Sequence, residues 1–263
     1  MSVEFSITSD LAGQKKLIGP VFAAFHAAGF QAVHWCQDWT GEPVLYGADF
    51  IEQVRQLADH NRLRVADVHG YGGPPEGVNY TDAIFAAMNI NRAEFVAALG
   101  GNAVVLHLPA RKCETTAEAI RQSVALLKTI RPAFEALGVR GAVENLPWPV
   151  HTDEFLDTLF SEFDAGFLGF CYDSGHAAIS RQAHLLARHI DRLLVTHLHD
   201  NDGKQDQHRL PGEGVVDWPE IVRVLKQSSY RGTVNLELQL PNDAPLAAFC
   251  QRSHDILTRL WGD

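Results

Sequence analysis

Eight short apolar runs alternate with longer stretches of helical periodicity along the whole chain, and no other feature limits the fold as strongly. Strands are expected at residues 5–8, 31–35, 63–69, 103–107, 139–144, 167–172, 192–197 and 233–238. Helices are expected at 15–28, 50–60, 82–99, 116–137, 153–160, 177–189, 218–227 and 245–260. In the second of these Ile51, Val54, Leu57 and Ala58 share one face, as a period of 3.6 requires. Thr115 or Thr116, with Glu118 close behind, is a start signal for the fourth. The strands are continuous apolar runs rather than alternating ones, as expected when both faces are buried. Eight βα units in 263 residues predict an α/β fold, a (β/α)8 TIM barrel forming a single domain over residues 1–263. A doubly wound open sheet is the alternative, weakened because no G-x-G-x-x-G follows the first strand.

In such a barrel the carboxyl-terminal strand ends converge on one face, where barrel active sites lie. Nearly every predicted strand after the first ends in a group able to bind metal or move protons. These are His34 with Asp38 beyond it, His69, His107, Glu144, Asp173 with His176, His197, and Glu237. The seventh strand opens into V-T-H-L-H-D-N-D-G-K-Q-D-Q-H-R-L-P-G-E-G (195–214), which adds His199, Asp200, Asp202, Asp206 and His208 before Pro211, Gly212 and Gly214 close it as a loop. Seven of the thirteen histidines fall in these strand ends and loops, where chance would leave few. Imidazole and carboxylate are the ligands of Zn²⁺, Mn²⁺, Fe²⁺ and Co²⁺. Taken singly, a strand-end His or Glu is more often a hydrogen-bonded structural group than a ligand; the argument rests on the set. His26, His60, His184, His189 and His254 fall in predicted helices and read as surface or packing residues. Cys171 reads as a small core residue, Trp35, Trp39 and Trp148 as core or as walls of a sugar pocket, and His199 ranks below His197.

The net charge of −10 argues against nucleic acid as a partner. No apolar run approaches a membrane span, and the first ten residues carry no targeting pattern. The four cysteines, Cys36, Cys113, Cys171 and Cys250, are scattered without a C-x-x-C pair, which suits a reducing cytoplasm. A cytoplasmic location is the expectation.

At V-E-N (143–145), D-S-G-H (173–176), H-L-H-D-N-D (197–202), H-R-L-P-G-E-G (208–214) and L-E-L (236–238) the chain resembles the xylose isomerase-like TIM-barrel superfamily. That superfamily covers sugar isomerases and epimerases, inosose dehydratases and the endonuclease IV group. The resemblance implies one divalent metal ion (Mn, Mg, Co or Zn) held by Glu144, Asp173, His197 and Glu237. It implies that Glu144 and Glu237, on opposite sides of the barrel, are also the acid/base pair, and that His176 binds substrate. A sugar or sugar-phosphate isomerase or epimerase working through a metal-stabilised enediolate is the activity this implies, with His69, His107 and Arg209 as further substrate contacts. Barrels of this type often dimerise, so a homo-oligomer is compatible with the resemblance, which leaves the oligomeric state open.

Two alternatives come with the same resemblance. His69, His107, His176, Asp206 and His208 have counterparts among the additional metal ligands of endonuclease IV-like enzymes, which makes a multinuclear zinc phosphodiesterase the second reading. An inosose dehydratase-like lyase is the other. Where ketohexose 3-epimerases usually carry an arginine, six residues after the strand-seven histidine, this chain has Gly203, which argues against a simple ketose 3-epimerase. Arg111, Lys112 or Arg209 is then the cation expected to meet a carboxylate or phosphate on the substrate. A barrel that only binds or assembles is disfavoured, because nothing structural requires buried carboxylates at a barrel mouth.

Overall fold

The strands form where the apolar runs stand: β1 Phe5–Thr8, β2 Ala32–Trp35, β3 Arg64–His69, β4 Ala103–Leu106, β5 Arg140–Glu144, β6 Leu168–Asp173, β7 Leu193–His197 and β8 Val234–Leu236. The helices are α1 Asp10–Gly13, α2 Ile18–Ala28, α3 Ala48–His60, α4 Asp82–Ala98, α5 Thr116–Leu137, α6 Asp153–Glu162, α7 Ser174–Ser180, α8 Leu185–Arg188, α9 Trp218–Gln227 and α10 Leu246–Trp261. These elements come from a computed structural model that describes residues 3–13, 18–36, 44–72, 81–109 and 113–262.

All strand pairs are parallel, and the order runs β7-β6-β5-β4-β3-β2-β1-β8. The ring is drawn closed at β7 and β8 by Leu198, whose N–H donates to the Asn235 carbonyl (3.0 Å) and whose carbonyl accepts from Glu237 N–H (3.1 Å). The fold is therefore the single-domain (β/α)8 barrel. Strand side chains that point outward, such as Ile7, Val33, Val104, Val143, Phe170 and Leu236, join the main core beneath the helices. A separate small cluster, Ala103, Val105, Ala142, Cys171 and Val195, has the opposite parity and lines the barrel interior. Its small side chains leave room in the barrel for buried polar groups.

Local chemistry sets the element ends. Thr115 caps α5 by accepting from Glu118 N–H (3.2 Å), Glu118 Oε2 accepts from Glu114 N–H (3.1 Å), and left-handed Gly138 ends the helix. The helix expected over 177–189 is instead two pieces, α7 and α8. Asp173 caps α7 by accepting from His176 N–H (2.6 Å), so the helix starts three residues early, straight off β6. Arg181, at φ 59°, then ends it. A glycine inside D-S-G-H reads as a breaker, and no residue of breaker type marks the actual break. The first expected helix is found from Ile18, residues 14–17 lying outside the described ones. β8 is shorter than the expected 233–238, which leaves Glu237 just beyond its end.

Candidate metal centre

Glu144, Asp173 and His197 are the last residues of β5, β6 and β7, and Glu237 follows β8 directly. Parity along each strand turns all four side chains inward, and one donor atom from each lies within 4.8 Å of the other three. All four are buried. Glu144 and Glu237 stand three strands apart rather than on opposite sides of the barrel. The asparagine of V-E-N fixes the relative height of two donors: Asn145 Oδ1 accepts from Asp173 N–H (2.8 Å) and Nδ2 donates to the Asp173 carbonyl (2.9 Å). His197 Nδ1 lies 3.4 Å from Glu144 Oε1 and 3.2 Å from Glu237 Oε2, yet neither of its ring nitrogens has a hydrogen-bond partner of good geometry among the described residues. Three buried carboxylates around one unsatisfied imidazole are mutually repulsive unless a cation joins them.

Other histidines surround the four. His107 Nε2 bonds Glu144 Oε2 at 2.8 Å, and His69 Nε2 lies 3.9 Å from the same oxygen. His176 bridges, with Nδ1 3.2 Å from Glu144 Oε1 and Nε2 3.3 Å from Asp206 Oδ2. Asp206 Oδ2 also meets His208 Nε2 at 3.1 Å, while His208 Nδ1–H donates to the Glu237 carbonyl at 2.9 Å. His199 stacks on His208 and places Nε2 3.2 Å from Asp173. Burial alone would push the Glu144 carboxyl up, but His107, His197 and His176 override it and hold it well below the usual range. Burial is likewise overridden at Glu237, by His197 and His208. Burial lowers His208, but its bond to Asp206 and the charge of Glu237 raise it to about 10. His69, buried beside His107, falls to about 3.

The structure thus brings Glu144, Asp173, His176, His197, Asp206, His208, Glu237, His69 and His107 to one place. It does not bring Arg209: that side chain is exposed, and its guanidinium reaches the Glu213 carbonyl at 3.5 Å. Its backbone pairs with Asp200 in an antiparallel bridge. Asp200 is an organiser of the loop rather than a ligand. Its Oδ1 accepts from Asn201 and Val216 N–H, and its Oδ2 from Gly212 N–H and Trp218 Nε1–H, all at 2.9–3.1 Å. Exposed Asp202 accepts from Lys204 and Gln205 N–H in a turn of its own. Gly203 has φ +74°, so a residue with a side chain there would be strained. Gly175 is required for a different reason, since a Cβ on it would sit 1.9 Å from His199 Cε1.

The sequence reading passed over His151. Its Nδ1 accepts from Leu146 N–H (3.2 Å) and its Nε2–H donates to the Leu108 carbonyl, tying the loop after His107 to the loop after Glu144. It lies in a proline-rich loop, away from any strand end. Asp67 was also passed over, although parity places it on the same face of β3 as His69. Of the tryptophans, Trp35 is core and Trp148 is exposed beside the His151 ring. Asp38, Trp39, Arg111 and Lys112 lie outside the described residues.

Comparison with known proteins agrees with this architecture. An uncharacterized protein of Sinorhizobium fredii, y4fM, is 29% identical over 269 residues, covering 89% of this chain and 85% of its own. The inosose dehydratase of Bacillus licheniformis is 28% identical over 36% of this chain and 38% of its own length. Among solved structures, the IolI protein with a bound zinc atom superposes with a TM-score of 0.79 over 98% of each chain, at 15% identity. A D-tagatose 3-epimerase-like protein does so with a TM-score of 0.76 over 98% of this chain and 97% of its own, at 19% identity. At such identities these two likenesses speak for the fold. The family model of the xylose isomerase-like TIM barrel matches residues 22–254, nearly the whole described barrel, and the chain belongs to that family.

Proposed function

We propose that this protein is a divalent-metal-dependent sugar or sugar-phosphate isomerase or epimerase that moves a proton next to a carbonyl group. The observation that carries the reading is the buried set Glu144, Asp173, His197 and Glu237, whose donor atoms converge within 4.8 Å. These residues fit a divalent ion: three carboxylates supply compensating charge, and neither ring nitrogen of His197 has a hydrogen-bond partner of good geometry among the described residues. When bound, the ion supplies Lewis-acid polarisation of the substrate carbonyl. Glu144 and Glu237 are the acid/base pair. Both are held ionised by their histidine neighbours, so either can take a proton from the carbon next to the carbonyl. Return of a proton to the opposite face of that carbon gives epimerisation, and return to the neighbouring carbon gives aldose–ketose isomerisation. His107 and His208 adjoin the two carboxylates and are partly exposed, at 20% and 19% of their side-chain surface, which suits them to contact substrate and pass protons to solvent.

Sugar chemistry is supported by curated relatives named inosose dehydratases, 28–29% identical over 34–40% of this chain. A dehydratase would use the same first step and then expel a hydroxyl from the next carbon. One observation favours a second reading, a multinuclear metallohydrolase. His69, His107 and Glu144 form another three-donor group, and Asp206 meets both His176 and His208 beside it.

Elemental analysis of protein purified without chelator separates the two. About one equivalent of Mn, Mg, Co or Zn per chain is expected. Deuterium should then be incorporated from D2O into a ketose or ketose phosphate of a test panel. Two or three tightly held Zn or Mn per chain, with phosphodiester cleavage, would establish the hydrolase instead. No metal, even after divalent ions are added back, would overturn both.

A further inference from the structure

One more histidine adjoins two members of the four-donor set, His197 and Glu237, from a strand that contributes nothing else to it. His34 lies in β2 and is fully buried. Its Nδ1 is hydrogen-bonded to Asp67 Oδ1 of the neighbouring β3. Its other ring nitrogen, Nε2, is buried without a hydrogen-bond partner among the described residues. The His34 ring stands edge-on to the His197 ring, with centroids 4.5 Å apart. One donor atom each from His34, His197 and Glu237 lie within 4.8 Å of one another.

A histidine buried for stability alone is expected to have both ring nitrogens satisfied. Here only one is. An ionised Asp67 can only accept, so it fixes the proton on Nδ1 and leaves the lone pair on Nε2. A carboxylate holding the far N–H of an imidazole is the usual way in which a ligating histidine is oriented and made more basic.

We propose that His34 Nε2 is a further nitrogen donor to the divalent ion of this centre, with Asp67 as the residue that positions it. The proposal rests on the metal reading above. It gives the centre a second neutral nitrogen on the His197–Glu237 side. Because imidazole favours Zn²⁺, Co²⁺ and Cu²⁺ over Mg²⁺, the pair biases metal choice towards the borderline ions.

The test loads wild type and His34→Gln with one equivalent of Cu²⁺ and counts bound imidazoles by pulsed electron paramagnetic resonance. Zn²⁺ and Mg²⁺ affinities are measured in parallel by competition. The variant is expected to lose one imidazole and to bind Zn²⁺ on the order of 10–100-fold more weakly, with a smaller change for Mg²⁺. An unchanged imidazole count and Zn²⁺ affinity in a variant with the wild-type circular dichroism would overturn the proposal. If His34→Gln does not fold, Asp67→Asn replaces it. That variant should keep the count and lose about tenfold in Zn²⁺ affinity; unchanged affinity there would also overturn it. Metal binding by the wild type that ignores His34 removes only this inference, whereas a wild type that binds no ion removes the functional reading as well.

Discussion

Glu144 and Glu237 offer the same carboxyl group to one site, but the two sides of that site are built differently. Glu144 is held by side chains: His107 bonds Oε2 at 2.8 Å, and His176 and His197 approach Oε1 at 3.2 and 3.4 Å. Glu237 has one close histidine at its carboxylate, His197 Nδ1 at 3.2 Å from Oε2, and is otherwise tied through its backbone. Its N–H bonds Leu198 at the barrel seam, and its carbonyl accepts from His208. The supports beneath them differ too. On the Glu144 side a single neutral imidazole, His151, ties two loops together. On the Glu237 side the Asp200 carboxylate accepts four N–H groups and fixes the long loop that carries Asp206 and His208. A carboxylate caged by histidines is suited to hold a cation firmly. One with a single close histidine and a backbone tie keeps more freedom at its oxygens for proton transfer.

The sharpest way to break this contrast is to remove each charge at constant shape. Glu144→Gln is expected to lower turnover by about 10⁴-fold and to weaken metal binding as well. If that variant keeps full activity on the true substrate, the two-glutamate mechanism is wrong. Glu237→Gln should cost less, about 10²–10³-fold, weaken metal binding less than Glu144→Gln does, and still exchange a substrate proton with D2O from the remaining carboxylate. Equal loss of metal in both variants would erase the distinction.

The supports can be tested separately. Asp200→Ala leaves buried N–H groups without an acceptor and should cost about 2–4 kcal/mol, a fall in Tm of roughly 5–10 °C. An unchanged Tm would show that the loop is held by something else. The smallest effect belongs to His151. Burial, chiefly, lowers it to about 4, and its Nδ1 must stay unprotonated to accept from Leu146. Its native value lies below the unfolded one, so its contribution is fully present above about pH 6.5 and fades as the pH falls towards 4. The stability gap between wild type and His151→Gln, measured by urea unfolding, should narrow by up to about 3 kcal/mol between pH 7.5 and 4.5. A gap independent of pH would mean that His151 is no such tie.

The barrel was legible in the sequence because its cause is repetitive. Doubly buried parallel strands need continuous apolar runs, and each must be followed by a helix that covers it. The ring of candidate donors was legible for the same reason, because strand parity and the end of each apolar run place Glu144, Asp173, His197 and Glu237 at one height. Parity says nothing about what a loop residue touches. Asp200, Asp202 and Asp206 look alike in the sequence, yet one anchors a loop, one closes a turn and one meets His176 and His208. His151 carried no local signal, because its partners are contributed by other loops, whereas Asp67 carried only the parity it shares with His69 on β3. Arg209 was plausible by charge and fell outside because its backbone is committed to the bridge with Asp200 and its guanidinium turns to the Glu213 carbonyl, while His208, in the left-handed region at φ 46°, faces Glu237. The sequence by itself determined the periodic part: the eight-fold barrel and the donor types at its mouth. Only the tertiary structure decided which polar groups pair, because hydrogen bonds and ion contacts form between residues distant in sequence, and their geometry exists only once the barrel has closed.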